Sequence, residues 1–439
     1  MTSEFRTGDI LAVCSWRPAQ LLDIDQIRSD PEGVKLALNR RGEDAPIDRV
    51  LELDARRRAI QGEADELRAR RNAVSKEIGQ AKPPPQDLIE EMRGVSGRIK
   101  ALEAESREVE EQIRVHLLAI PNLPRQQVPD GADESDNVVV RDWGDIVERD
   151  YEAVAHWDLG ERLGIIDLPA GARISGSRFY ALRGKGARLQ RALVSWMLDV
   201  HTDDHGYTEL YLPYLVGTDT VTGSGHLPKF ADTMYHDEED DLWLIPTAEV
   251  PITGMYAGEI LDPGVVPARF VAHTPCFRRE KSAAGRDTRG IKRVHQFDKV
   301  EMYKFVHPGD SDAELESLVG DAEDLIQRLG LPYRILELST GDLGFSAVRT
   351  YDVEMWAPGS GEWLEVSSCS NCDDFQARRA AIRYRPEKGA KTVHPHTLNG
   401  SGLALPRVMI AILENGQQAD GSIVIPEVLH PYTGFEKID

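Results

Sequence analysis

Two heptad-like runs separated by a block of prolines constrain this chain more than any other feature. In the first, Leu53, Arg57, Ile60, Ala64, Leu67, Arg71, Val74 and Ile78 follow at alternating spacings of four and three. In the second, Leu88, Met92, Val95, Ile99, Leu102, Ser106, Val109, Ile113 and Leu117 do the same. Such spacing keeps one stripe of a helix facing a partner helix. Lys82-Pro83-Pro84-Pro85 lies between the runs, and proline cannot continue the helical ladder. The pattern predicts an antiparallel coiled coil over about residues 47–119, extending roughly 45–50 Å at ~1.5 Å per residue.

Periodicity alone suits a dimerisation coil or a spacer as well as a binding arm. Charge favours RNA. Between Arg49 and Gln80, eight basic residues (49, 56, 57, 58, 68, 70, 71, 76) face six acidic ones (52, 54, 63, 65, 66, 77), in a chain of net charge −22. Arg57 and Arg71 occupy the seam, where their stems can pack while their heads reach water. So acidic a chain is not a general polyanion binder, and nucleic-acid contact must come from local basic surface. Upstream, Leu22, Ile24 and Ile27 open a short element, and Asp30-Pro31-Glu32 starts a helix running to about Arg40.

No stretch approaches the ~20 apolar residues of a membrane helix. Residues 1–20 lack the basic start and apolar core of a signal peptide and read as an extension of unassigned role. Cysteines at 14, 276, 369 and 372 are too few for a disulfide framework. Cys369 and Cys372 have a C-x-x-C spacing, but a zinc site needs further ligands and a redox role needs a different surrounding pattern. A reduced, cytoplasmic enzyme is the expectation. Ala119 to Pro124 closes the arm, and the polar, turn-rich Gln126–Asn137 is a linker. The predicted division is an extension over 1–20, a helical arm over 21–125 and a catalytic domain over 126–439.

The chemistry concentrates in CFRREKSAAGRDTRGIKRVHQFDKVEMYKF, Cys276 to Phe305. Two strand-like flanks enclose a loop with Gly285 and Gly290, and Arg278, Arg286, Arg289 and Arg293 offer forked donors for phosphate or carboxylate. Alternation puts His295, Phe297, Lys299, Glu301 and Tyr303 on one face, with Phe297 and Glu301 about 13 Å apart at ~3.3 Å per residue. An aromatic ring at one end and a carboxylate at the other suit a nucleotide-linked ligand.

This stretch resembles the second signature motif of class II aminoacyl-tRNA synthetases, and its GRDTRG and HQFDKVE segments are similar to the seryl-tRNA synthetase family. Other segments agree. Helix Gly186–Asp204 followed by a strand over Tyr207–Leu215 containing Pro213 resembles the first motif. Leu398-Asn-Gly-Ser-Gly-Leu403 with Arg407 resembles the third, and Asn371, Phe375, Gln376, Arg378 and Arg379 match the family's SNCxDFQARR run.

The resemblance implies an α+β fold: an antiparallel-sheet class II catalytic domain preceded by a long antiparallel coiled-coil arm. It implies ATP and L-serine as substrates, Mg²⁺ as cofactor, a homodimer, tRNA(Ser) as acceptor read by the arm, and tRNA(Sec) as a further candidate. It also implies roles. Arg278 binds the α-phosphate, Glu280 the adenine side, and Phe297 stacks on adenine. Arg279, Val294, Glu365, Val366, Ser367, Ser368 and Arg407 complete the ATP site, with Arg407 on the γ-phosphate. Thr247, Ala248, Glu249, Arg278, Glu301 and Ser401 hold serine, and Glu365 and Ser368 hold the metal. Catalysis falls to Arg278, Glu280 and Arg407.

The rival readings are an amino-acid ligase that loads a carrier protein and a non-catalytic RNA-binding homologue. Relatives of the first kind lack the long arm, and the second would have lost the charged site residues. Gly416, His430 and His394-Pro395-His396 depart from the family pattern without touching a residue assigned to chemistry.

Overall fold

The computed structural model describes residues 22–81, 83, 85–281 and 288–439. The extension 1–20, Cys14, Gly285 and Arg286 lie outside them. The described chain forms two compact units, one of Leu21–Asn39 with Glu43–Pro121, the other of Arg40–Gly42 with Asn122–Asp439.

In the first unit, α1 (Ile24–Ser29) is capped by Asp23, whose carboxylate accepts the Asp25 N–H at 2.8 Å. After α2 (Pro31–Arg40) come α3 (Ile47–Gln80) and α4 (Gln86–Leu118), of 34 and 33 residues, about 50 Å each at ~1.5 Å per residue. Val50, Leu53, Ile60 and Ala64 of α3 and Met92, Ile99, Leu102, Val109, Ile113 and Leu117 of α4 are buried. Cross-helix ion pairs fix the antiparallel register. Arg56 meets Glu105, Glu63 meets Arg98 at 2.7 Å, and Arg70 meets Glu91, so a step of one heptad up one helix is one heptad down the other. Asp54, fully buried, accepts bonds from Arg28 Nε at 3.1 Å, Arg57 Nη2 at 2.7 Å and Arg58 Nε at 3.0 Å.

The second unit is built on an eight-stranded sheet. Its strands are β1 (Val138–Trp143), β2 (Thr208–Glu209), β3 (Ala268–Phe277), β4 (Gln296–Val306), β5 (Tyr333–Glu337), β6 (Arg349–Ala357), β7 (Glu362–Asn371) and β8 (His396–Ala404). They run in the order β1-β5-β6-β7-β8-β4-β3-β2, all antiparallel except the last pair. Helices α5 (Lys185–Asp203), α6 (Ser311–Leu329) and α7 (Leu405–Gly416) cover one face through Leu193, Trp196, Leu318 and Met409, which pack with Val300, Met302, Val353 and Met355 of the sheet. Alternation sends Phe297, Lys299 and Glu301 to the opposite face.

The strand expected over Tyr207–Leu215 is much shorter. Only Thr208–Glu209 pairs with β3, and Leu215–Gly217 joins a separate three-stranded sheet. Pro213, lacking a donor, lies where the chain leaves one sheet for the other. No helix among the described residues is long and apolar enough to cross a membrane.

The arm yields a test. Asp54→Ala leaves three guanidiniums without their common acceptor, but these are 36%, 36% and 54% exposed and can turn to water. The expected loss is about 1–3 kcal/mol, read as earlier melting of the helical circular-dichroism signal. An unchanged melting curve would show that the cluster adds nothing.

Candidate active site

The face of the sheet opposite α5, α6 and α7 carries a cavity of about 300 Å³. Of the residues singled out in the sequence, it is lined by Thr247, Glu249, Arg278, Glu280, Arg293, Val294, Phe297, Lys299, Glu301, Glu365, Val366, Ser368, Ser401 and Arg407.

Two irregular strand pairings assemble it. Glu365 and Ser368 are three apart, which in a regular strand would place them on opposite faces. Val353 pairs with Ser367 and Glu354 with Glu365, so Val366 is an extra residue that restores both to one face. On β8, Ser401 pairs with Glu301 and Ala404 with Lys299, three residues against two, and Ser401 and Ala404 both reach the cavity.

At one end, Glu301 accepts a hydrogen bond from Thr247 Oγ1 at 2.9 Å and forms an ion pair with Lys299. Glu249 Oε1 accepts from Gln376 Nε2 at 2.5 Å and from Asn399 Nδ2 at 3.3 Å. Gln376 is oriented in turn by Tyr303 and Thr397, whose hydroxyls donate to its Oε1 at 2.8 and 2.7 Å. Burial raises the pKa of both carboxyls above the usual 4.5. Lys299 opposes the rise in each, and the Glu249 charge adds to it at Glu301. Burial holds His226 at about 3, helped by Arg278 and Lys299, so its ring is neutral. This end carries more carboxylate than Lys299 balances, an environment that favours a cationic ligand group.

At the other end the charge reverses. Arg278 bonds the Pro246 carbonyl through Nε at 3.3 Å, and its guanidinium lies 5.1 Å from the Phe297 ring centre. Arg407 Nη1 bonds the Glu365 carbonyl at 2.7 Å and its carboxylate at 3.2 Å. Burial would raise the Glu365 pKa, but Arg407 and Arg278 outweigh it and hold the group below 4.5. Asp352 lies opposite Ser368 in the strand pairing. Burial and the Glu365 charge push its pKa well up, and its Oδ1 has no hydrogen-bond partner. The Glu365 and Asp352 carboxyls, the latter with an unused oxygen, and the Ser368 hydroxyl are a donor set that fits a hard divalent cation. Among the described residues no three His, Cys, Asp or Glu side chains gather as a metal site, so further ligands would come from water or a bound phosphate.

Three expected residues do not line the cavity. The Arg279 side chain follows the alternation away from Arg278, bonding the Met234 carbonyl at 2.6 Å and lying over the Tyr235 ring. Ala248 is fully buried against Ile252 and Leu261. Ser367 turns to the other face, where its hydroxyl donates to the Ser401 carbonyl at 2.6 Å. Sequence reasoning missed His226, Ile291, Lys292 and Asn399 as lining residues. Asn399 was available from its place two before Ser401 on one strand. His226 carried no local signal, since its segment meets the cavity only through tertiary structure.

An antiparallel sheet bearing this two-ended charged cavity defines a class II aminoacyl-tRNA synthetase core, and the model of that core domain (G, H, P, S and T) matches residues 230–416. The seryl-tRNA synthetase N-terminal domain matches residues 21–124. The chain is 58% identical over 419 residues to a serine–tRNA ligase of Thermomicrobium roseum, covering 95% of this chain and 94% of that one. It superposes with a TM-score of 0.91 on seryl-tRNA synthetase from Pyrococcus horikoshii complexed with ATP, at 41% identity over 95% and 99% of the two chains. A cytoplasmic serine–tRNA ligase of Naegleria fowleri in complex with AMP gives 0.85, at 31% identity over 96% and 99%. The chain belongs to the seryl-tRNA synthetase family.

The raised carboxyls predict a pH dependence. Glu249 and Glu301 hold their protons more tightly folded than unfolded, so they add stability at low pH and withdraw it as pH rises through their folded values. A cationic ligand needs them ionised. Amino-acid binding, followed by calorimetry, should therefore weaken as pH falls from neutral towards the ordinary 4.5, starting above it, by about tenfold per unit for each required carboxylate. Affinity unchanged down to 4.5 would contradict this.

Proposed function

We propose that this protein is an ATP-dependent serine–tRNA ligase whose serine and ATP sites are the two ends of the cavity. What carries the reading is that Thr247, Glu249, Arg278, Phe297, Glu301, Glu365 and Arg407 line a single cavity. The serine ammonium takes the end holding Glu249, and the serine hydroxyl meets Glu301 and Ser401. A site built to bond a hydroxyl leaves buried polar groups unpaired when alanine enters, which makes alanine a poor substrate.

In the first step a serine carboxylate oxygen attacks the α-phosphorus. The bond to the bridging oxygen breaks, and diphosphate leaves with the electron pair. The residues contribute position and charge rather than a covalent nucleophile. Arg278 faces the α-phosphate and the serine carboxylate, Arg407 the terminal phosphate, and Phe297 and Glu280 the adenine. Glu365 and Ser368, with Asp352 beside them, would hold Mg²⁺, which supplies neutralisation of phosphate charge when bound. In the second step the terminal hydroxyl of tRNA(Ser) attacks the adenylate carbonyl and AMP leaves, with tRNA(Sec) as a candidate second acceptor.

Residues 21–125 form the tRNA-binding arm and 126–439 the catalytic domain of a cytoplasmic homodimer. A carrier-protein ligase would not account for the seryl-type N-terminal domain, and a non-catalytic homologue would not account for the intact charged cavity.

Arg278→Ala should lower serine-dependent ATP–pyrophosphate exchange by about 10²–10³, and near-normal exchange would remove the assignment. Deleting Arg49–Leu117 should abolish aminoacylation of tRNA while exchange persists; charging by the truncated enzyme would refute the arm's role.

A further inference from the structure

One buried chain of hydrogen bonds outside the charged ends of the cavity joins four segments of the second unit, through His156, Ile291, Ser360 and Glu414. His156, at the start of the helix His156–Arg162, is 1% exposed. Its Nδ1 lies 2.9 Å from Glu414 Oε1, in the last turn of α7, and its Nε2 accepts the Ile291 N–H at 3.2 Å. These partners fix the tautomer: Nε2 is the acceptor, so the proton sits on Nδ1 and is donated to the carboxylate. Glu414, fully buried, also accepts the His156 N–H at 2.9 Å, the Ser360 hydroxyl at 2.7 Å and the Ser360 N–H at 2.8 Å. Burial would raise its pKa, but these donors outweigh it and keep the group ionised.

The far side of the ring is equally committed. Gly290 has φ +68°, and a Cβ there would fall 2.0 Å from His156 Nε2. The ring thus occupies the space where any other residue would place its side chain. The preceding Arg289 lays its guanidinium over Trp157, 4.4 Å from the ring centre. Immediately after this anchor, Ile291, Lys292, Arg293 and Val294 line the cavity.

We propose that His156, oriented by Glu414, is a positioning residue for the nucleotide end of the cavity, because its bond to Ile291 sets where the 291–294 segment meets ATP. His156 itself touches no substrate. The serine end is built from Thr247, Glu249 and Glu301, on other segments, so displacing 291–294 should weaken ATP selectively. This rests on the reading that ATP binds at that end.

The test is calorimetric binding of ATP and of serine, measured separately on the full chain. His156→Asn keeps an N–H near Glu414 but ends short of Ile291, whereas His156→Gln can present a carbonyl oxygen where Nε2 was. Loss of an acceptor for a buried N–H should weaken ATP about tenfold in His156→Asn, leave serine within about twofold, and be largely recovered in His156→Gln. Gly290→Ala forces the same segment off the ring from the other side and should reproduce the ATP-selective loss if His156→Asn does not fold. ATP affinity within about twofold of the parent in both His156→Asn and Gly290→Ala, or equal weakening of ATP and serine, would overturn the proposal. A parent protein that binds no ATP would instead overturn the site reading on which it rests.

Discussion

The cavity depends on a buried ion pair between neighbours on one strand face, Lys299 and Glu301. Burying either charge alone would be costly, and together they fix which face of β4 looks away from the helical layer. Once that face is set, Phe297 lies two residues from Lys299 on the same side, and Ser401 lies opposite Glu301 in the neighbouring strand. The pair does not neutralise the cavity, because Glu249 adds a second carboxylate with amide partners only, Gln376 and Asn399. A cationic ligand group would complete the set.

The opposite end solves the reverse problem. Arg278 and Arg407 have few anionic partners of their own. Arg407 has Glu365, and Arg278 rests on a backbone carbonyl and the Phe297 ring. Guanidiniums held this way keep forked donors available for phosphate at small reorganisation cost. Asp352, beside Glu365, keeps one carboxyl oxygen without a hydrogen-bond partner, which would suit a cation.

Much of this was legible in the letters. Heptad spacing located α3 and α4 because helical geometry is local and the prolines leave a single way to turn. Alternation put Phe297, Lys299 and Glu301 on one face for the same reason. It failed where strands are irregular: the extra residue at Val366 reverses the faces of Ser367 and Ser368, and nothing in EVSS announces it. The Tyr207–Leu215 strand failed because pairing depends on a neighbour, and the pairing with β3 stops at Glu209, before Pro213 is reached. Two of the departures from the family pattern also have tertiary explanations. Gly416 closes against the chain so tightly that a Cβ would fall 2.2 Å from the Val424 carbonyl, and His430 bonds the Ile425 carbonyl at 2.9 Å.

The charge distribution accounts for how so acidic a chain can act on polyanions. A net charge of −22 repels phosphate at long range, but screening confines exposed charge to about 10 Å at moderate ionic strength. Within that distance only local groups count. The cavity sets arginines from separate segments around the space a triphosphate would take, while α3 carries its excess of arginine along one helix. Many of those helix arginines are already engaged with glutamates of α4, as in Arg56–Glu105 and Arg70–Glu91, so an RNA backbone bound there would have to compete with carboxylates for them. Under such competition a contact would be weak, readily reversed and spread along the helix, and discrimination would come from the shape of the RNA rather than from the strength of any one pair.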